Sequence, residues 1–197
     1  MSPERNASTR FAILGLLGLE PMSGYDIRRA SSDTLRHFWH ESYGQIYPTL
    51  ATLAREKLIR ELPPARAAAK PGARASRKLY AITPAGRRAF AVWQESAPRE
   101  RPFRSEMLLR VFFGDAGSAH ALREHVGRLA KEETARLASY RALARRLRSE
   151  AASHPSQPYW QATLRYGQLR SEAALAWCRE TSRTLGKARL AKKRAHA

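Results

Sequence analysis

Apolar residues recur at helical spacing along the first part of this chain, broken by short polar turns. Phe11, Ile13, Leu14, Leu16 and Leu17 make one stripe, with Ser8 or Thr9 placed to cap its start and Gly18 and Glu20-Pro21 to stop it. Ser23 caps a second segment carrying Tyr25, Ile27, Ala30 and Leu35. Ser42, followed three residues later by Gln45, forms a capping box and predicts a third helix starting there. In it Ile46, Leu50, Leu53 and Leu58 recur at spacings of four, three and five, which puts the first three on one buried face, while Gln45, Thr49, Thr52 and Arg55 are expected to look outward. Pro48, read as lying beyond the first turn, deletes one backbone bond, so a kink or loose first turn is expected unless the helix only begins near Pro48.

The period then changes. LIREL and KLYAIT alternate like strands on either side of PPARAAAKPGARASRK, which predicts a two-stranded β-hairpin with a long tip. Thr83 and Pro84 begin another helix, as a side-chain cap and a ring at the first helical position. After the break at PRERPF no further strand is expected. Met107 to Phe113 reads as a short apolar helix, and Gly117-Ser118 as the break and cap before a long one. That long helix carries Leu122, Val126, Leu129, Leu137, Tyr140, Leu143 and Leu147, a near-heptad seam whose phase slips at Glu133 and Arg136. In the last helix Trp160, Leu164, Gly167, Ser171, Ala174 and Cys178 keep four-three spacing, flanked by Tyr166, Leu169, Ala173 and Trp177. A lone hairpin of two helices covers too little of that surface, so a second copy of the chain is expected to cover the rest.

The predicted fold is therefore mainly α, a winged helix-turn-helix (α-helices plus a two-stranded β-hairpin wing) followed by a helical dimerisation domain. The expected divisions are 1–98, 99–185 and a basic tail, 186–197, read as a frayed helix end and disordered arm.

Charge narrows the function. The 36 basic and 17 acidic residues give +19, which favours a polyanionic partner because each cation placed on a phosphate releases a counterion. Residues 1–98 hold 15 basic and 8 acidic groups and residues 99–197 hold 21 and 9, so the second half is the more basic. No apolar run is long enough to span a bilayer and MSPERNASTR lacks a secretory apolar core, so a cytoplasmic location and no membrane partner are expected. The single cysteine, Cys178, fits a reducing compartment. Catalysis has no raw material. The six histidines do not cluster, and His37 and His40 have only Glu41 nearby as a further ligand. No glycine-rich phosphate loop, nucleophile elbow or zinc-protease signature occurs. Neither enzyme activity, nor a cofactor, nor a metal is expected.

LGLLGLEPMSGYDI, HFWHESYGQIYPTLATLAREKLI and RKLYAITPAGRRAF, in that order, resemble the PadR family of winged-helix transcriptional regulators. EMLLRVFFGD and YWQATLRYGQLRSEAALAW resemble the helical dimerisation domain of the PadR subfamily that includes virulence activators. The resemblance implies a bacterial homodimer on a pseudo-palindromic double-stranded DNA operator, usually a repressor, with a small effector in some members. It places the recognition helix on Ser42, Tyr43, Gln45, Tyr47 and Thr49 and the wing on Lys70, Arg74, Arg77 and Lys78.

The residue chemistry suits those roles. Gln45 can make two hydrogen bonds to an adenine edge and Thr49 can touch a thymine methyl, while Ser42, Tyr43 and Tyr47 can hold phosphates; Thr52 shares the expected outward face. The two tyrosines also fit a core with one polar handle. Trp39, Phe112, Trp160, Tyr166 and Trp177 are the candidate lining of an effector cavity, or else core. The alternative that composition leaves open is a sequence-neutral nucleic-acid-binding protein of nucleoid or RNA-binding type.

Overall fold

The computed structural model describes residues 3–33, 35, 43–63, 78–98 and 103–195, and the chain separates into two units, Met1–Glu100 and Arg101–Ala197. In the first, α1 (Pro3–Leu19) precedes a strand of two residues, β1 (Met22–Ser23), then α2 (Gly24–Asp33). A 3₁₀ turn over Tyr43–Gln45 leads into α3 (Ile46–Arg55), followed by β2 (Ile59–Glu61), β3 (Leu79–Ile82) and α4 (Pro84–Glu95).

Burial follows the periodicity. Ile13, Leu14 and Leu17 of α1, Ile27 of α2 and Ile46, Leu50 and Leu53 of α3 close one core, floored by Met22, Ile59 and Ile82 from the sheet. The ring of Phe11 stacks on Trp93 at 4.7 Å, which fastens α4 to α1. The helix begins at Pro3, ahead of the expected cap, and Thr9 is buried inside it rather than capping it. Residues 3–7 carry no apolar stripe, so their helicity left no periodic mark.

The sheet has three strands in the order β1-β3-β2, both pairs antiparallel, with Met22 opposite Tyr80 and Ile59 opposite Ile82. The expected hairpin is β2 and β3; β1 is the addition. Two residues are too few to show alternation, and Ser23 serves twice, in β1 and as the cap of α2. Its Oγ accepts from the Asp26 amide at 3.2 Å while the Asp26 carboxylate accepts from the Ser23 amide at 3.1 Å.

In the second unit α5 (Glu106–Phe112) and a 3₁₀ turn (Gly114–Ala116) precede the long α6 (Ala119–Glu150) and α7 (Gln157–Ala195). Ser105 and Ser118 cap α5 and α6 through hydroxyls that accept from Leu108 and Ala121 amides. α6 and α7 pack against each other. Tyr140 lies where a side chain on Gly167 would be, so glycine lets its ring into the seam. α7 continues unbroken to Ala195, through the residues read as a disordered arm. Alanine, leucine, lysine and arginine, which dominate 186–195, are all strong helix formers, and the charge run concealed that preference.

Candidate nucleic-acid interface

α3 is held at both ends by local chemistry. Its first residue is Ile46, which puts Pro48 third in the helix, inside the first turn where amides lack intrahelical partners anyway. The helix thus begins near Pro48, as the alternative reading has it, with the 3₁₀ turn ahead of it. Gln45 is the cap residue and makes no side-chain bond to the first amides of α3; the predicted capping box pairs it with Ser42 and so is not tested. Ser42 lies outside the described residues. At the far end the Leu58 amide donates to Leu53 O and the Lys57 amide to Ala54 O, both at 3.0 Å, closing a Schellman turn with Lys57 left-handed at φ 58°. The Thr83 hydroxyl ties the same corner to α4, donating to Lys57 and Leu58 carbonyls and accepting from the Gly86 amide.

A forked ion pair anchors the end of α3 to α1. Arg10 Nη1 donates to Glu56 Oε1 at 2.8 Å and Nη2 donates to Oε2. The hydrogen bond from Arg10 lowers the Glu56 pKa below the ordinary glutamate range, and donating it raises the Arg10 pKa above its own.

The outward row of α3 differs from the one expected. Thr49 is only 2% exposed and belongs to the core, so it cannot touch a thymine methyl. It stands three residues after Ile46 and four before Leu53, which puts it on their stripe. Thr52 and Gln45 are half-buried, whereas Tyr47, 59% exposed, together with Ala51 and Arg55, makes up the open face. That exposure removes the core alternative for Tyr47. The side chain of Tyr43 lies outside the described residues.

Of the wing residues, Lys70, Arg74 and Arg77 fall outside the described residues. Lys78 immediately precedes β3, exposed, and its Nζ lies 3.0 Å from Glu61 Oε2 on β2. The hydrogen bond to Glu61 raises the lysine pKa above its ordinary value.

The effector candidates do not assemble within the helical unit. Phe112 is 80% exposed and Tyr166 is exposed, Trp177 is half-buried, and half-buried Trp160 stacks on His154 at 4.5 Å. Trp39 is outside the described residues. An open groove of about 400 Å³ is lined by Leu109, Arg110, Phe113, Ser118, Leu122 and His125 among others, and by none of these four aromatics.

The phase slip in α6 is a buried polar contact. Glu133, 7% exposed, accepts from the Ser171 hydroxyl at 2.7 Å and pairs with Arg136 at 2.7 Å. Cys178 is also buried, and burial, reinforced by the Glu133 charge, pushes its thiol pKa up, the opposite of a reactive cysteine. Among the described residues no group of three His, Cys, Asp or Glu side chains could hold a metal, and no helix is long and apolar enough to cross a membrane.

Residues 13–92 match the transcriptional regulator PadR-like family and residues 103–186 match the virulence activator alpha C-terminal family. The chain is 30% identical over 105 residues to the negative transcriptional regulator PadR of Bacillus subtilis, a match covering 53% of this chain and only 55% of that protein. With a probable transcriptional regulator of Mycobacterium tuberculosis it shares 27% identity over 185 residues, 88% of this chain and 95% of the other. The crystal structure of Bacillus subtilis PadR in complex with operator DNA superposes with a TM-score of 0.74 at 24% identity, covering 89% of this chain and 98% of that one. The same Bacillus protein has also been solved with p-coumaric acid. Residues 13–92 thus belong to the PadR-like family of transcriptional regulators and residues 103–186 to the virulence activator alpha C-terminal family, and the chain shares the winged-helix fold of the solved PadR structures.

Proposed function

We propose that this chain is a cytoplasmic transcriptional repressor that works as a homodimer, each copy laying α3 in the major groove of one half of a pseudo-palindromic operator. The observation that carries this reading is the divided surface of α3. Ile46, Thr49, Leu50 and Leu53 face the core while Tyr47, Ala51 and Arg55 face out, immediately before a hairpin whose connecting segment holds Arg66, Lys70, Arg74 and Arg77 and no acid. Gln45 and Thr52 are the proposed base readers, Ser42, Tyr43 and Tyr47 hold phosphates, and Lys70, Arg74, Arg77 and Lys78 form the wing contacts. Two-fold pairing sets the half-sites roughly 34 Å apart.

Dimerisation is supported by the helical unit's exposed apolar side chains, among them Leu109, Phe112, Phe113, Tyr166 and Leu169, an apolar surface of the kind that marks an interface. Control by a small aromatic ligand is supported by the p-coumaric acid complex of the Bacillus relative. Such a ligand regulates only if it binds DNA-competent and DNA-incompetent dimers unequally.

Selection of bound fragments from the source genome, followed by competition with random DNA at physiological salt, tests the reading. A repressor keeps a large preference for the selected site. Loss of that preference would favour the sequence-neutral alternative. Gln45→Ala is expected to change base preference, and Arg74→Ala to weaken every sequence and reduce the salt slope by about one.

A further inference from the structure

We infer that Gly24 is a positioning residue of the DNA interface, because its missing side chain is the seat on which the Tyr47 ring lies. This rests on the DNA-binding reading above. Gly24 is the first residue of α2 and is buried, although Tyr47, across from it on α3, is mostly exposed. A Cβ on Gly24 would stand 2.7 Å from Tyr47 Cε1, 3.3 Å from Tyr47 Cδ1 and 3.3 Å from Leu50 Cδ1. The ring edge is therefore in contact with the backbone of α2, which fixes a side chain that its exposure would otherwise leave free to rotate.

The position matters because Tyr47 is the second residue of α3, at the end of the helix that leads into the groove. A phenol has few rotatable bonds, and one held against backbone keeps its hydroxyl at a set place in front of α3, where it can donate to a phosphate oxygen. Tyrosine carries no charge at neutral pH. Its contact therefore contributes affinity without releasing a counterion, unlike the wing cations.

Methyl addition at Gly24 differs from methyl addition at Gly86, a more tightly packed glycine of the same unit. At Gly86 the new atom would land on the Leu58 carbonyl, which is backbone held in the α3 to β2 corner. At Gly24 it meets the edge of an exposed ring, which can swing away. Gly24→Ala is thus expected to fold and to displace Tyr47.

The test measures binding of the full chain to a labelled random-sequence duplex long enough for two half-sites, over a range of salt, for wild type, Gly24→Ala, Tyr47→Phe and the double variant. Each single variant is expected to bind about a hundredfold more weakly, one hydrogen bond to a charged group, worth about tenfold, being lost from each of the two copies. The double variant is expected to be no weaker than Tyr47→Phe alone, and all four slopes of log affinity against log salt are expected to coincide. Wild-type affinity for Gly24→Ala or for Tyr47→Phe, multiplying losses in the double variant, or a changed slope overturns the inference while leaving DNA binding intact. Failure of the wild-type chain to hold the duplex overturns the DNA-binding reading itself and the inference with it.

Discussion

The two units solve the burial problem differently. The first closes its core within one copy: Ile13, Leu14, Leu17, Ile27, Leu50 and Leu53 meet from three helices over a small sheet, and its polar contacts sit at corners and caps. The second is a hairpin of two long helices that buries Glu133 and Ser171 inside while leaving Leu109, Phe112, Phe113, Tyr166 and Leu169 outside. A hairpin has one seam and cannot cover both flanks of each helix. The first unit is thus expected to owe its stability to its own packing, and the second to a partner.

Truncating the closed core is expected to have the largest effect. Leu53→Ala removes a fully buried side chain between α3 and the sheet and is expected to cost about 4 kcal/mol, measured by denaturant unfolding of the full chain. The loss is expected at every protein concentration. Phe112→Ser, by contrast, strips an exposed ring and is expected to leave the protomer folded while weakening self-association by about 2 kcal/mol, read by sedimentation at falling concentration. If Phe112→Ser left association unchanged, α5 would lie outside the interface and the contrast between the units would weaken.

The buried polar pair sharpens the comparison from inside the hairpin. Glu133→Ala leaves the Ser171 hydroxyl buried beside a cavity and is expected to destabilise by about 2 kcal/mol. Replacing both residues, Glu133→Leu with Ser171→Ala, is expected to recover most of that loss, since an apolar seam needs no polar partner. Thermal unfolding of the three variants checks it. An unrecovered loss would mean that the pair, rather than the apolar seam, specifies the packing of α6 on α7.

Periodicity made most of this architecture legible, and its failures are as physical as its successes. Ile46, Leu50 and Leu53 announced the buried face of α3, and Ser118 and Thr83 announced their helices, because caps and stripes are local. Thr49 carries both a methyl and a hydroxyl, so its residue type suits an outward face while its spacing points to the core, and the spacing prevails. β1 was invisible because two residues have no period. Glu133 and Arg136 showed as a slip in the seam, but only the fold reveals Ser171 opposite them, 38 residues away. Of the interface, Tyr47 fits either a phosphate contact or a core aromatic by residue type, and only the fold puts it outside, off the stripe of Ile46, Leu50 and Leu53. Its seat on Gly24 and the Arg10 clamp on Glu56 depend on tertiary approach and have no local signature beyond SGYDI itself.

Lys57 offers a smaller effect in the opposite direction. It occupies the left-handed position of the Schellman turn that ends α3, where a side chain crowds the backbone and glycine does not. Lys57→Gly is expected to stabilise the first unit by roughly 0.5 to 1 kcal/mol, the relief of local strain exceeding the entropy that glycine adds to the unfolded chain. A loss of stability in chemical denaturation would show that the lysine stem packs usefully on its surroundings.

The smallest effect comes from the clamp between Arg10 and Glu56, and its pH dependence is fixed by the direction of the two shifts. Glu56 has a folded pKa below its unfolded one, so its contribution is fully present above the ordinary glutamate range and is lost as pH falls through the folded value. Arg10 is raised, so its side of the pair holds at all lower pH and fails only in strong alkali, beyond any useful measurement. The acid limb is therefore the accessible one. Both side chains keep contact with solvent, which limits the pair to less than about 1 kcal/mol despite its forked geometry. Glu56→Gln is expected to lower stability by that small amount at neutral pH and by almost nothing in strong acid, so the curves of stability against pH for the two proteins converge as pH falls. High salt is expected to narrow the neutral gap as well. Parallel curves would mean that Glu56 supports α3 through packing rather than charge, acting beside the Schellman turn and the Thr83 hydroxyl that hold the end of that helix.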